Sequence, residues 1–397
     1  MRVRHITDTE RRSRLGRRHG LAPGRRAADA EAATRAMTVL HATEPATVYL
    51  SLHARVDDLT VADVDRALYD ERSLVKQLAM RRTLFVFPRD LLPAAWGSAS
   101  ARVAETLAVR MAKEVEGAGL ATDGAGWLEK ARAGVLEALA GGAALTAQEI
   151  RGRVPQLEAR LELSPGKKYA ANVSIAPRVL TQLGVEGLLV RGENTGHWRL
   201  SKPRWTLMSD WLGEVPPPAK ADEGYAELVG RWLRSFGPGT EDDIVWWLGA
   251  TKGAVRAALA SLEALEVSLD GDRTGWVLPD DVETEAEAEP WAALLPVLDP
   301  TVMGWKERDW YLGPHGPELL DRNGNAGTTA WWDGRVVGCW VQDGDGVVEV
   351  RLLEKLPKKA RDALEVEAER LTGWLDGVRV GTVYPSTAMK VVDWVHP

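Results

Sequence analysis

The sequence predicts a mixed α+β chain made of one repeated unit and a strand-rich end. Two observations predict it. Helical stretches followed by a two-stranded ribbon occur at three places, a recurrence that single elements would not produce by chance. Beyond an acidic run at Glu283 to Glu289, composition shifts to strand, with Trp, Val and the turn pair Asp333-Gly334. Helix, turn, helix and ribbon is the order of a winged helix. The prediction is therefore three tandem winged-helix units followed by a β-rich, barrel-like α+β domain, divided as 1–90, 91–215, 216–282 and 290–397.

At 397 residues, two to four domains are expected, and 45% hydrophobic with 27% charged residues is the balance of a folded globular chain. The one cysteine, Cys339, excludes an internal disulfide framework and a cysteine-based zinc site, and no cofactor or metal is expected. No apolar run suggests a leader or a membrane span, so a cytoplasmic, nucleoid-associated protein is expected. Net charge is −7, which alone argues against a nucleic-acid partner. The average hides an asymmetry: up to Asp210 there are 32 Lys and Arg against 24 Asp and Glu, and the remaining 187 residues carry 18 against 33. A basic half joined to an acidic half suggests one face that meets a polyanion.

In chain order, residues 1–26 carry nine arginines and read as either a phosphate-contacting arm or an Arg-rich solvated helix opened by Thr7 or Asp8. Ala27 to Thr38 and Pro45 to Arg55 read as helices, Pro45 suiting a first turn. Pro45 biases Glu44 away from helical dihedrals, so Leu40 to Glu44 is expected to be extended, with His41 and Thr43 on one side and Ala42 on the other. Such a pair could hold one water, or His41 could bond a carbonyl while Thr43 caps the next helix. A helix from Thr60 or Asp63 to Tyr69, a helix at Ser73 to Met80 and a strand at Thr83 to Phe87 complete the first unit.

Leu91 to about Ala140 reads as a helical connector broken by glycines around Gly117 to Gly126. Thr146 with Glu149 forms a capping-box pattern. A helix at Ser174 to Leu183 then leads into strands at Leu188 to Arg191 and His197 to Leu200. The third unit follows the linker Pro216-Pro-Pro: helices at Tyr225 to Phe236, Thr240 to Gly249 and Lys252 to Leu265, then strands at Glu266 to Leu269 and Gly275 to Leu278. In the last domain a hairpin from Trp331, a strand at Val347 to Leu353, a helix at Pro357 to Leu375 and the segment Gly377 to Val383 are expected, with most of the 17 tryptophans in the core.

Four segments together resemble one family: Leu40-His-Ala-Thr-Glu44, Met80-Arg-Arg-Thr-Leu84, Leu294-Leu-Pro-Val-Leu-Asp299 with Gly304 and Arg308 beyond, and Asp333-Gly-Arg-Val-Val-Gly338. In order and spacing the chain is similar to the winged-helix DNA glycosylases of the AlkZ and YcaQ type. The resemblance implies a monomeric protein that hydrolyses the N-glycosidic bond of cationic N-alkylated purines in duplex DNA, bulky and interstrand-crosslinking lesions among them. Members characterised as glycosylases carry Gln-x-Gln or Gln-x-Asp where this chain has His41-Ala42-Thr43. That departure marks either an altered specificity or a member that binds DNA without cleaving it.

A cationic alkylpurine already leaves well, so the protein must hold a water near C1′ and stabilise an oxocarbenium-like sugar. His41 could accept the water's proton, Thr43 could orient it, and Glu44 could place negative charge nearby, or serve only as a carboxylate at a helix start. Phosphate contacts are expected from Arg81, Arg82, Lys167, Lys168, Arg178, Arg191, Arg199, Lys202 and Arg204, on wings and recognition helices. The alternative is a non-catalytic winged-helix protein: a regulator, or a self-resistance factor that sequesters a lesion or genotoxin. Regulators usually dimerise to read two half-sites, and no heptad seam is present, which favours the enzyme.

Overall fold

The computed structural model describes residues 3–163, 171–391 and 396. It consists of two compact units: Met1–Ala67 with Ala226–Pro397, and Leu68–Tyr225. Both combine helices with small sheets, the α+β class predicted. The first unit is discontinuous because its amino-terminal residues find their partners beyond residue 226, an arrangement that linker composition does not reveal. No helix among the described residues is long and apolar enough to cross a membrane.

In the discontinuous unit, Thr7 caps the helix Asp8–Arg18 by accepting from the Glu10 amide. This Arg-rich helix is neither an arm nor solvated. Arg11 and Arg14 are 2% and 1% exposed. Arg14 pairs with Glu10 and Asp281, Arg18 pairs with Asp281 and Glu285, and the Arg11 guanidinium lies 4.0 Å from the Trp310 ring centroid. The acidic run, with Asp281 before it, is thus the counter-charge of the amino-terminal helix rather than a solvated linker. Buried guanidinium groups require such partners. Much of the charge asymmetry is consequently neutralised inside this unit.

The next helices match the sequence reading closely: Ala30–Ala36, capped by Asp29, and Pro45–His53. Val61–Asp65 opens with a Thr60–Asp63 capping box. After residue 226 come Glu241–Leu248, with its own Thr240–Asp243 box, and Lys252–Ser261. The ribbon Leu265–Leu269 with Arg273–Val277 follows, and His5–Ile6 adds to it as a parallel strand.

The last part of this unit is an open four-stranded antiparallel sheet, Ala292–Leu295, Thr329–Trp332, Arg335–Gln342 and Val348–Leu352, neighbours in sequence order. The expected barrel-like closure is absent among the described residues: the sheet runs in simple order and the helix Lys358–Leu375 packs against its first and last strands. Trp291, Trp305, Trp310, Trp331 and Trp340 are buried here, and the Trp291 and Trp331 rings stack with centroids 6.2 Å apart. Gly377 to Val383 forms no strand. Gln342 holds it instead, donating to the Val378 carbonyl and accepting from the Val380 amide.

In the continuous unit, the helix expected at Ser73 to Met80 is a strand, Leu74–Leu78, paired antiparallel with Leu84–Pro88. A short apolar run carries no decisive period, and Phe85 and Phe87 on the partner strand supply the cross-strand packing that selects a ribbon. Long helices, Ala101–Gly117 and Gly124–Ala138, form the connector. They cross so closely that a Cβ on Gly124 would lie 2.1 Å from the Ala112 carbonyl oxygen. Thr146 and Glu149 form the expected capping box of Ala147–Arg153, and Ala176–Val185 is the following helix.

After a ribbon of Arg160–Leu163 with Ala171–Ser174, its last ribbon is Leu189–Asn194 with Pro203–Leu207, so the strand expected at His197 to Leu200 lies six residues later. Asn194 explains the shift. Its amide donates to the Leu200 carbonyl at 3.0 Å and its oxygen accepts from the Lys202 amide at 2.8 Å, which organises residues 195–202 as a loop.

Candidate active site

The helix Pro45–His53 carries the candidate residues at its entrance and is pinned from its other end. Arg55 donates to Asp299 through two nitrogens, at 2.7 and 2.9 Å, and Ser51 donates to the same carboxylate at 2.7 Å. Both members of the ion pair are within 1% of full burial. Burial alone would raise the Asp299 carboxyl, but the charge and hydrogen bonds of Arg55, with those of Ser51 and Thr301, hold it below the ordinary carboxylate range. Thr47 donates to the Val297 carbonyl at 3.0 Å. The Leu294 to Asp299 motif is thus a clamp on this helix.

At the other end, Leu40–His41 is a two-residue strand and residues 43 and 44 form a bend. His41 is 4% exposed and Ala42 is buried, whereas Thr43 is exposed. The expected alternation, His41 and Thr43 together with Ala42 opposite, is not what this bend gives. Thr43 is not the helix cap either; Glu44 occupies the N-cap position, with no side-chain cap bond.

Glu44 turns inward instead. Its Oε1 accepts from the Thr382 hydroxyl at 2.8 Å and from the Val383 amide at 2.6 Å. The Tyr384 amide in turn donates to the Thr382 hydroxyl at 2.9 Å. Burial pushes the Glu44 carboxyl up, against the opposing effect of those two donors. The Tyr384 phenol is also raised, by burial first and then by the negative charges of Glu44 and Asp321. Glu44 borders a cavity of about 110 Å³ walled mainly by Leu50, Val297, Trp340 and Met389, with Thr382 and Arg379 among its polar lining. A carboxylate with one oxygen locked and an apolar wall beside it can place charge without reorganising.

The cations expected to meet phosphate lie in very different surroundings. Arg178 pairs with Glu114, Arg204 donates to the Ala144 carbonyl at 2.8 Å, and Arg191 lies over the Trp205 ring, 5.2 Å from its centroid. These three are committed within the unit. Arg82, Arg199 and Lys202 are exposed, and Arg81 is half-buried. Lys167 and Lys168 lie outside the described residues. Residues 68–225 carry 21 Lys and Arg against 18 Asp and Glu, so any phosphate affinity there must come from placement rather than from a large excess.

Arg81 and Arg82 occupy an unusual backbone. Thr83 donates its amide to the Met80 carbonyl at 3.0 Å, closing a turn whose two central residues have φ of 53° and 57°. A left-handed residue other than glycine costs of order 1–2 kcal/mol.

A model of the DNA glycosylase AlkZ-like family matches residues 34–374. The chain belongs to the AlkZ-like DNA glycosylase family. The structure is similar to that of Streptomyces sahachiroi DNA glycosylase AlkZ, with a TM-score of 0.69 and 21% sequence identity, over 92% of this chain and 96% of that one. At that identity the likeness is one of fold. By sequence, no curated protein matches the chain.

The stretch that matches the AlkZ-like family includes Leu40 to Glu44 and the Asp299 clamp, but ends before Thr382, Val383 and Tyr384. Those three were invisible to sequence reasoning because their role depends on a contact with Glu44 more than 330 positions away. The only local hint is the pattern Gly-Thr-Val-Tyr-Pro itself, a polar and aromatic segment next to a turn-forming proline.

Proposed function

We propose that this chain is a DNA repair glycosylase that hydrolyses the N-glycosidic bond of cationic N-alkylated purines in duplex DNA, bulky or crosslinking lesions included. The observation that carries the reading is Glu44: a buried carboxylate, fixed through one oxygen at the edge of an apolar cavity, directly after the Leu40 to Thr43 motif. The C1′–N bond breaks and its electron pair leaves with the base, which becomes neutral. The ionised Glu44 stabilises the positive sugar left behind, and a water adds at C1′ and loses its proton to His41 or Glu44. Thr43, being exposed, is suited to contacting substrate rather than to sharing a buried water with His41.

In this reading three winged-helix units act as a monomer on DNA. Phosphates are met by Arg82, Arg199 and Lys202, with Arg81, and by sequence Lys167 and Lys168, as further candidates; Arg178, Arg191 and Arg204 contribute less, since each is already engaged. The non-catalytic alternative draws its support from the separation of His41 and Thr43 in exposure.

Single-turnover excision on duplexes bearing N7-methylguanine or an interstrand crosslink decides between the two. Release of the base by the wild type and its loss in Glu44→Gln is the expected result. Tight binding with no release on any alkylpurine would make the binding protein the better reading.

A further inference from the structure

The hairpin of Leu74–Leu78 and Leu84–Pro88 has a firm base, with Leu74, Val75, Phe85 and Phe87 each no more than 1% exposed. Its end is the turn Met80 to Thr83, with both central residues at positive φ, as in the turns that Asn, Asp and Gly favour. The same chain builds such a turn elsewhere from the residues that favour it: between Thr329–Trp332 and Arg335–Gln342, Asp333 and Gly334 have φ of 48° and 78°. At the end of the Leu74–Pro88 hairpin, where Leu78 pairs with Leu84, two consecutive positive-φ positions are filled by arginines, neither of which tolerates them as Asn, Asp or Gly would.

Strain of this kind persists where a function holds it. Arg82 is exposed and makes no ion pair among the described residues, whereas Arg110, Arg132, Arg178 and Arg204 of the same unit each pair with a glutamate. We propose that the Arg81–Arg82 turn is kept in its strained form because it presents Arg82 from a rigid hairpin end as a contact for the phosphodiester backbone of duplex DNA. A guanidinium fork matches a phosphate bidentately, and a short turn on a packed ribbon removes the backbone freedom that a longer loop would lose on binding. The proposal rests on the DNA-acting reading above, and its test uses undamaged duplex so that excision plays no part.

Arg82→Gly relieves the turn and deletes the fork; Arg82→Lys keeps charge and strain but loses bidentate geometry. Melting temperature and affinity for an undamaged duplex, titrated over a range of salt, are measured for both. Arg82→Gly is expected to melt about 2 °C higher. Its DNA affinity should be about fivefold weaker, with the salt slope reduced by about 0.9. Arg82→Lys should not melt higher and should keep the wild-type slope. If Arg82→Gly binds with wild-type affinity and slope, or melts no higher than wild type, the proposal is overturned. Failure of the glycosylase reading shows separately, as absence of base release with DNA binding intact.

Discussion

The hydroxyl of Thr382 and the carboxylate of Glu44 are joined by a 2.8 Å hydrogen bond that spans 338 positions of sequence. The Val383 amide bonds the same oxygen, so Oε2 takes neither of these bonds and the charge has a defined orientation.

Because both donors use Oε1, Glu44→Gln retains an acceptor there and loses only the charge. Single-turnover excision should fall by about 10²–10³, with affinity for lesion DNA nearly unchanged. A group whose folded pKa is raised contributes stability only at low pH, lost as pH rises through that value. Glu44→Gln should therefore be neutral or stabilising near pH 7, by thermal melting. A clear loss of stability would assign Glu44 to structure alone.

Excision by the wild type should decline on acidification as Glu44 takes up a proton, at a pH above the ordinary carboxylate range. Thr382→Val removes a bond that favours the ionised form, so the acid limb of the pH–rate profile should move to higher pH, and Thr382→Ser should restore it. An unmoved acid limb in Thr382→Val would separate this hydroxyl from the reaction.

His41→Ala and Thr43→Ala should differ in kind. His41 is 4% exposed, so its removal should lower both melting temperature and excision. Thr43 is exposed, and its loss should leave stability within about 0.5 kcal/mol of wild type while altering substrate affinity. Equal melting temperatures for both variants would contradict the burial pattern.

Two buried histidines make the fold acid-sensitive. Burial, reinforced by the charge of Arg55, lowers His19 to about 3, and burial with Arg370 and Arg26 lowers His53 to about 3. Each stays neutral when folded and charges readily when unfolded, so its contribution is present above pH 6.5 and is lost as pH falls toward 3. Denaturant unfolding at pH 7 and pH 5 should show this loss. His53→Phe, which can keep the stack on Trp374, should reduce the slope.

Asp299→Asn leaves Arg55 buried beside a neutral partner. Removing one member of such a pair costs about 3–5 kcal/mol, more than replacing both with apolar residues of similar volume. Chemical denaturation of Asp299→Asn beside Arg55→Met/Asp299→Leu measures the difference; equal losses would mean that the charge pairing is not what holds the helix Pro45–His53.

Local signals were readable where local physics decides. Thr60, Thr146 and Thr240 each stand before a short helix with an acid three positions on, and each is a capping box. Asp333-Gly334 marked its turn for the same reason. Leu74 to Leu78 misled because five residues of mixed apolar character are a helix or a strand according to their partner, and that partner is the aromatic strand Leu84–Pro88. His41, Thr43 and Glu44 share one short segment in sequence, but that Glu44 faces inward depends on Thr382 and Val383. The arginine-rich amino terminus reads as either a DNA arm or a solvated helix because Asp281, the partner of Arg14 and Arg18, lies more than 260 positions along the chain.

That pairing orders the birth of the protein. Arg14 cannot meet Asp281 until 267 more residues have been made, roughly 15–50 s at 5–20 residues per second. Over that interval the first helix has only its own Asp8 and Glu10 as counter-charge. The continuous stretch Leu68–Tyr225 has all its own contacts by the time Tyr225 is added. The amino terminus is thus synthesised first and is among the last parts to reach its place, so its folding is timed by the arrival of the acidic segment rather than by its own helix propensity.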